Sequence, residues 1–244
     1  AMIEPKDSYQ SLNENGIEFF TGVPDPLLKY ICAYISDHAV SDNHIIAANE
    51  GNAIAIAMGY HMATQKIPMV YMQNSGLGNT INPLLSLADK EVYSIPMVLM
   101  VGWRGKPGLS DEPQHIKQGR IHNRLLDAME IPNFHLSSKS NFLSVIKRAK
   151  EVAEKNSAPS IITVEKNTFN KYDLNVKEKN NFNMTREEAI EKIAKMISKK
   201  DIVISTTGKA SRELFEFRKK MSDTHERDFL TVGGMGHASQ IALG

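Results

Sequence analysis

The sequence predicts an α/β fold, a doubly wound parallel sheet followed by the incomplete start of a second α/β unit. Three observations lead there. The segments Pro68-Met69-Val70-Tyr71-Met72, Pro96-Met97-Val98-Leu99-Met100-Val101 and Ser160-Ile161-Ile162-Thr163-Val164 are short and almost wholly apolar, as strands are when helices cover both faces of a sheet. Helical patterns separate these segments, the alternation that produces parallel pairing. Between Lys166 and Met184 the composition turns to Lys, Asn and Glu, and regular patterning then resumes, so this stretch reads as a linker. The expected units are residues 1–170, a linker at 171–184, and the start of a second domain at 185–244.

Each element has a local reason. An amphipathic first helix stops near Asn15-Gly16, a natural C-cap pair. An extended segment Ile17–Thr21 runs into the turn Gly22-Val23-Pro24-Asp25-Pro26, and a helix is expected over Leu27–Ser36. Strand His44–Ala48 leads to the helix beginning at Asn49-Glu50-Gly51, which is apolar all round and therefore expected to be buried. The strand ending at Met72 opens the loop Gln73–Asn79, with a helix to about Lys90, and the helix Phe142–Lys155 precedes the strand Ser160–Val164. In the second unit Thr185-Arg186-Glu187-Glu188 is a capping box. Strand Asp201–Ser205 feeds the turn Thr206-Thr207-Gly208-Lys209, and strand Phe229–Val232 feeds Gly233-Gly234-Met235-Gly236-His237-Ala238. So few residues make a small doubly wound domain, and the chain reads as truncated.

Composition narrows the function. A formal charge of +1 over 244 residues gives no general field for nucleic acid or a membrane surface. No apolar run has the length of a membrane span, and no signal-peptide pattern opens the sequence. One cysteine, Cys32, excludes an internal disulfide and suits a reducing compartment, so a cytoplasmic location is expected. The dinucleotide G-x-G-x-x-G, the P-loop and the nucleophile elbow are all absent. The eight histidines are scattered without metal spacing, so no side-chain metal site is expected.

The chemistry that remains sits in turns after strands, which a parallel sheet collects along one edge. Glu50 is an acid at the mouth of an apolar helix, and a carboxyl group deprived of water is suited to proton exchange. The plain alternative is a carboxylate favoured by the helix dipole. Asn74-Ser75-Gly76-Leu77-Gly78-Asn79 offers amides and a hydroxyl at a helix start; an ordinary turn would look alike. The stretch from Gly102 through Trp103, Arg104, Asp111 and His115 to Arg120 reads as a long loop. Its cations Arg104, Lys106, Lys117 and Arg120 suit a phosphate-like dianion or simply solvent. Turns at Gly208 and Gly234–Gly236 suit a diphosphate held by main-chain N–H groups, or are plain tight turns.

Together these segments resemble the thiamine diphosphate-dependent decarboxylases, and within them the phosphonopyruvate decarboxylase family. The residues carrying the resemblance are Thr21-Gly22-Val23-Pro24-Asp25, Asn49-Glu50-Gly51, Gln73–Asn79 with Asn82-Pro83-Leu84, and Trp103-Arg104-Gly105 through Asp111-Glu112-Pro113-Gln114-His115. In the second unit they are Thr206-Thr207-Gly208, Ser211-Arg212-Glu213-Leu214 and Gly234-Met235-Gly236-His237-Ala238-Ser239. The resemblance implies a pyrimidine-binding domain followed by the start of a diphosphate-binding domain, with thiamine diphosphate and Mg²⁺ as cofactors. It makes Glu50 the partner of the aminopyrimidine ring, and places Thr207, Gly208, Gly234, Met235, Gly236 and His237 on the cofactor. Asp25, Asn74, Ser75, Arg104 and His115 are expected on the substrate side. The Mg²⁺ ligands are expected beyond Gly244. The implied reaction is decarboxylation of 3-phosphonopyruvate in a homo-oligomer whose active site lies at a subunit interface. Sulfopyruvate decarboxylation and a non-catalytic oligomerising fragment are the alternatives.

Overall fold

The computed structural model describes residues 2–175 and 181–244. Residues 176–180 of the expected linker lie outside this range. The chain forms two compact units, Ala1–Lys177 and Glu178–Gly244.

In the first unit helix α1 (Pro5–Glu14) leads to β1 (Phe20–Gly22), α2 (Lys29–His38), β2 (His44–Ile46) and α3 (Glu50–Thr64). Next come β3 (Met69–Gln73), a 3₁₀ stretch Asn74–Asn79, and the single turn α4 (Ile81–Pro83), which runs on as a π-helical segment Leu84–Ala88. The unit finishes with β4 (Val98–Gly102), α5 (Pro113–Ala128), β5 (Asn133–Leu136), α6 (Phe142–Asn156) and β6 (Ser160–Val164). The six strands form one sheet in the order β2-β1-β3-β4-β6-β5, every neighbouring pair parallel. It is a doubly wound sheet, with its order reversing between β1 and β3.

Side-chain alternation explains why the central strands are apolar throughout. Met69, Tyr71, Val98, Met100, Ile162 and Val164 belong to one core, with Leu12, Ile31, Ile35 and Ile146 from α1, α2 and α6. Their neighbours Val70, Met72, Leu99, Val101 and Ile161 join the opposite core, with Ala53, Ile54, Ala57, Leu84 and Leu126. A period of two along each strand thus divides its residues between two buried faces.

Three expectations change. The stretch from Gly102 to Arg120 is not one long loop, because α5 begins at Pro113 with Pro in the first helical turn. His115, Lys117 and Arg120 therefore stand on a helix. The missed signal is Glu112-Pro113, since Pro presets the backbone for a helix start. Strand β5 was not expected at all; it lies at the sheet edge and only Leu136 of its four residues is buried. Helix α3 is buried on one face alone. Ala53, Ile54, Ala57 and Met58 are inside, while Asn52, Ala55, Gly59 and Met62 are exposed.

In the second unit the order is α7 (Arg186–Met196), β7 (Val203–Ser205), α8 (Lys209–Lys220), β8 (Asp228–Leu230) and α9 (Ala238–Leu243), with β7 and β8 parallel. The Thr185–Glu188 capping box opens α7. The core is small: Ala194, Leu214 and Phe217, flanked by Ile190, Val203 and Leu230. Arg218 is 4% exposed and forms paired bonds of 3.1 Å to both carboxylate oxygens of Asp228, with Asp223 at 2.8 Å.

One buried histidine of the first unit makes the fold acid-sensitive. Thr163 Oγ1 donates to Asn133 Oδ1 at 2.6 Å, so the His122 Nε2–H donates to Thr163 at 2.8 Å. His122 Nδ1 is buried without a partner, and burial pushes the imidazole down to about 4. Its folded value lies below the unfolded one, so protonation opposes folding once pH drops below about 6.5. We expect His122→Gln to abolish an acid loss of about 2 kcal/mol between pH 7.5 and pH 5. Urea midpoints of both proteins at the two pH values check this; parallel losses would refute it.

Candidate active site

The crevice where strand order reverses is the usual ligand position of such a sheet, and the turns after parallel strands converge there. The turn after β1 supplies Asp25, which is 2% exposed. Its Oδ1 accepts from Gln73 Nε2 at 2.9 Å across the crevice, and its Oδ2 accepts from Leu27 N at 3.0 Å. Burial raises the Asp25 carboxyl from its ordinary value, while Gln73, the Leu27 and Leu28 amides and the Arg104 charge oppose that rise. Gly102, closing β4, leaves the room: a Cβ there would lie 2.1 Å from Asp25 Oδ2.

Glu50 opens α3 and is 8% exposed. Asn49 caps the helix, its Oδ1 accepting from Gly51 N at 2.8 Å. Asn79, at the end of the 3₁₀ stretch, donates its Nδ2 to Glu50 Oε2 at 2.8 Å. Gly76 in the same stretch must lack a side chain, because a Cβ would fall 2.5 Å from Glu50 Oε1. One carboxylate oxygen is thus tethered. The other accepts from no described residue and is available to a donor.

Asn74 faces the opposite way. Its carboxamide is 2% exposed and brackets the main chain of one residue, accepting from Arg104 N at 3.1 Å and donating to Arg104 O at 2.9 Å. That clamp fixes the turn after β4. The Arg104 guanidinium is in turn forked onto Asp111, with Nε at 2.8 Å from Oδ2 and Nη2 also bonded to Oδ1. Asp111 accepts the Gly105 and Glu112 amides as well, each at 2.8 Å. These bonds, Arg104's first, hold the Asp111 carboxyl well below the usual carboxylate range. Arg104 Nη1 bonds to no described residue. His115, on the first turn of α5, is half-buried, and its Nδ1 has no partner. Burial, then the Arg104 charge, lowers its imidazole. Ser75 is exposed and donates to Gln73 Oε1 at 2.6 Å.

The second unit places its predicted residues along one strand edge of its own sheet. Thr207 and Gly208 follow β7 at the start of α8, and Gly234, Met235, Gly236 and His237 follow β8. Gly208, Gly234 and Gly236 all have positive φ. His237 Nδ1 donates to Gly234 O at 2.9 Å. Among the described residues no group of three or more His, Cys, Asp or Glu is placed to hold a metal ion. No helix among them is long and apolar enough to cross a membrane.

Residues 8–131 match the family described as thiamine pyrophosphate enzyme, N-terminal TPP binding domain. The chain belongs to the thiamine pyrophosphate enzyme family. As a thiamine pyrophosphate-family chain it has relatives along its whole length. It is 32% identical to a phosphonopyruvate decarboxylase of Streptomyces viridochromogenes, aligning over 100% of this chain and 63% of that protein. A Methanococcus maripaludis sulfopyruvate decarboxylase subunit alpha is 33% identical over 59% of this chain and 84% of its own. The chain thus spans under two thirds of the phosphonopyruvate decarboxylase. Among solved structures, a benzoylformate decarboxylase from Polynucleobacter necessarius superposes with a TM-score of 0.50 at 16% identity, over 83% of this chain and 38% of that one. A putative thiamin diphosphate-dependent enzyme from Mycobacterium smegmatis gives 0.53 at 16%, over 80% and 37%. These two likenesses speak for the fold.

For a chain of this family the Glu50 geometry fits the cofactor's pyrimidine edge, with one oxygen tethered and one available. The described residues offer no donor cluster for Mg²⁺. Reading the sequence missed three site residues. Gln73, Asn79 and Asp111 look like ordinary loop polar groups until folding aims them at Asp25, Glu50 and Arg104. Only the clustering of Gln, Asn and Ser directly after a strand hinted at the first two.

Proposed function

We propose that this protein takes part in the thiamine diphosphate-dependent decarboxylation of 3-phosphonopyruvate to phosphonoacetaldehyde and CO₂. The observation that carries the reading is the buried Glu50 carboxylate, held by Asn79 through one oxygen, in a chain aligned along its whole length with phosphonopyruvate decarboxylase. When bound, thiamine diphosphate supplies the nucleophilic carbon and the electron sink for the departing carboxylate. Glu50 would hold the pyrimidine ring nitrogen and could exchange a proton with it. Asp25, Ser75, Arg104 and His115 face the substrate, Asn74 holds the Arg104 turn in place beside them, and His115, unprotonated at neutral pH, accepts a hydrogen bond or a proton there. The free edge of Arg104, its Nη1, meets the phosphonate. Main-chain amides at Thr207, Gly208, Gly234, Met235 and Gly236, beside His237, would hold the diphosphate, whose charge Mg²⁺ would offset.

The exposed strip on α3 supports a homo-oligomer, because Ala55 and Gly59 let a second backbone approach closely and Met62 beside them exposes apolar surface. A cytoplasmic location suits a chain whose single cysteine is a free thiol. The second reading, sulfopyruvate as substrate, draws on the 33% identity to the alpha subunit. Against it, the phosphonopyruvate decarboxylase is 32% identical over all of this chain, whereas a sulfopyruvate decarboxylase that also aligns over all of it is 23% identical.

The test is CO₂ release from phosphonopyruvate and from sulfopyruvate, with thiamine diphosphate and Mg²⁺, by the full product of the reading frame beside the 244-residue chain. Faster release from phosphonopyruvate is expected. Release from sulfopyruvate alone would transfer the reading to the sulfonate, and no release from a folded, cofactor-bound protein would reject both. Arg104→Ala should lower kcat/KM about 10- to 100-fold, the worth of a charge-assisted bond, mainly through KM. Unchanged constants would take Arg104 off the phosphonate.

A further inference from the structure

Gln73, which the proposed reaction gives no role, links two residues of the crevice. Asp25 is buried, and among the described residues Gln73 is the one side chain bonded to its carboxylate. Gln73 stands at the last position of β3, the strand facing β1 across the reversal of strand order. Its amide is oriented from the other side, because the exposed Ser75 donates to Oε1 at 2.6 Å and so points Nε2 at Asp25. Ser75, Gln73 and Asp25 therefore form a chain of directed hydrogen bonds running from solvent to a buried carboxylate.

We infer that Gln73, locked by Ser75, is a positioning residue that fixes the Asp25 carboxylate in one orientation and favours its charged form at the crevice. A carboxylate is purely an acceptor, and Nε2 is a donor that bonds best to the ionised state. The other groups around Asp25 are the Leu27 and Leu28 amides of its own turn, the Arg104 charge from beyond β4, and the Cys32 thiol of α2. Gly102 packs against the carboxylate, where a Cβ would lie 2.1 Å from Oδ2. Without Gln73 the carboxyl would hold its proton to higher pH. This inference rests on the decarboxylase reading for its importance to turnover, where CO₂ is replaced on carbon by a proton. It does not rest on that reading for the hydrogen bonds.

The experiment has two arms. The first follows the Asp25 carboxyl carbon by NMR against pH in the 244-residue chain, with Asp25→Asn for assignment, and needs neither cofactor nor substrate. Gln73→Met keeps the bulk and removes the donor, so the Asp25 midpoint should rise by about one pH unit. Ser75→Ala keeps the donor but frees the amide, so a smaller rise in the same direction is expected. The second arm measures kcat against pH for Gln73→Met in the full product of the reading frame, where the limb governed by Asp25 should move with the midpoint while KM holds. An unmoved midpoint in folded variants overturns the clamp, with Ser75→Ala deciding if Gln73→Met fails to fold. A moved midpoint with an unmoved kcat profile in an active enzyme overturns the positioning role. If the enzyme releases no CO₂, the first arm still decides the clamp, and the failure belongs to the decarboxylase reading.

Discussion

Glu50→Gln is expected to lower the turnover of CO₂ release by ~10²–10⁴ in the full product of the reading frame, the usual range for a lost acid–base group. The substitution is close to isosteric. The Gln carbonyl oxygen can still accept from Asn79, as Glu50 Oε2 does at 2.8 Å, so the 3₁₀ stretch keeps its anchor. Gly76 still leaves space beside the other terminal atom. What disappears is a group able to take up and return a proton, since an amide nitrogen only donates. Stability should therefore change little while turnover collapses, and a thermal melt beside a kcat measurement separates the two. Asn79→Ala provides the complementary case: Glu50 remains but loses its tether, so a smaller loss is expected. Near-normal turnover for Glu50→Gln would remove Glu50 from the proton chemistry.

The sheet was legible because its signal is local. An apolar strand such as Val98–Gly102 has buried residues at every position, and only a sheet covered on both faces asks for that. Glu50 was legible for the opposite reason, as one charge placed against an apolar helix. Strand β5 was hidden because an edge strand is half solvated, and its Asn133, Phe134 and His135 carry no clear period. The second face of α3 misled because small residues look apolar in a sequence yet expose little surface each. The site's fine structure depends on contacts far apart in sequence: Gln73 with Asp25, Asn79 with Glu50, and the Asn74 clamp on the Arg104 peptide. Such pairings follow from strand order, and strand order is not written in any one segment. Lying near Arg104 in sequence, Asp111 could have been paired with it, but nothing local distinguished it from Glu112.

Asp111→Asn should lower stability by about 2 kcal/mol, the worth of charge-assisted hydrogen bonds in a half-buried ion pair, because both side chains keep a rim of solvent. The carboxylate accepts from Arg104 Nε and Nη2 and from the Gly105 and Glu112 amides. An Asn in its place brings an NH₂ donor against these donors and leaves at least one buried polar group unpaired. The sign of the pH dependence follows from the depressed carboxyl. Its contribution is fully present above the unfolded value of about 4 and is lost only as pH falls further toward the folded value. The gap between the parent and Asp111→Asn should therefore stay constant from pH 7 down to about 4.5. Protonation of His122 begins to act near pH 6.5, so urea denaturation across this range tells the two groups apart. A gap that closed already between pH 7 and pH 5 would show that Asp111 is not the anchor of this loop. The same variant tests the site as well. Arg104 would keep its charge and lose its fixed direction, so KM for the phosphonate should rise as in Arg104→Ala but by less. If Asp111→Asn left KM unchanged while Arg104→Ala raised it, charge alone would suffice and the orientation of the fork would have no part in recognition.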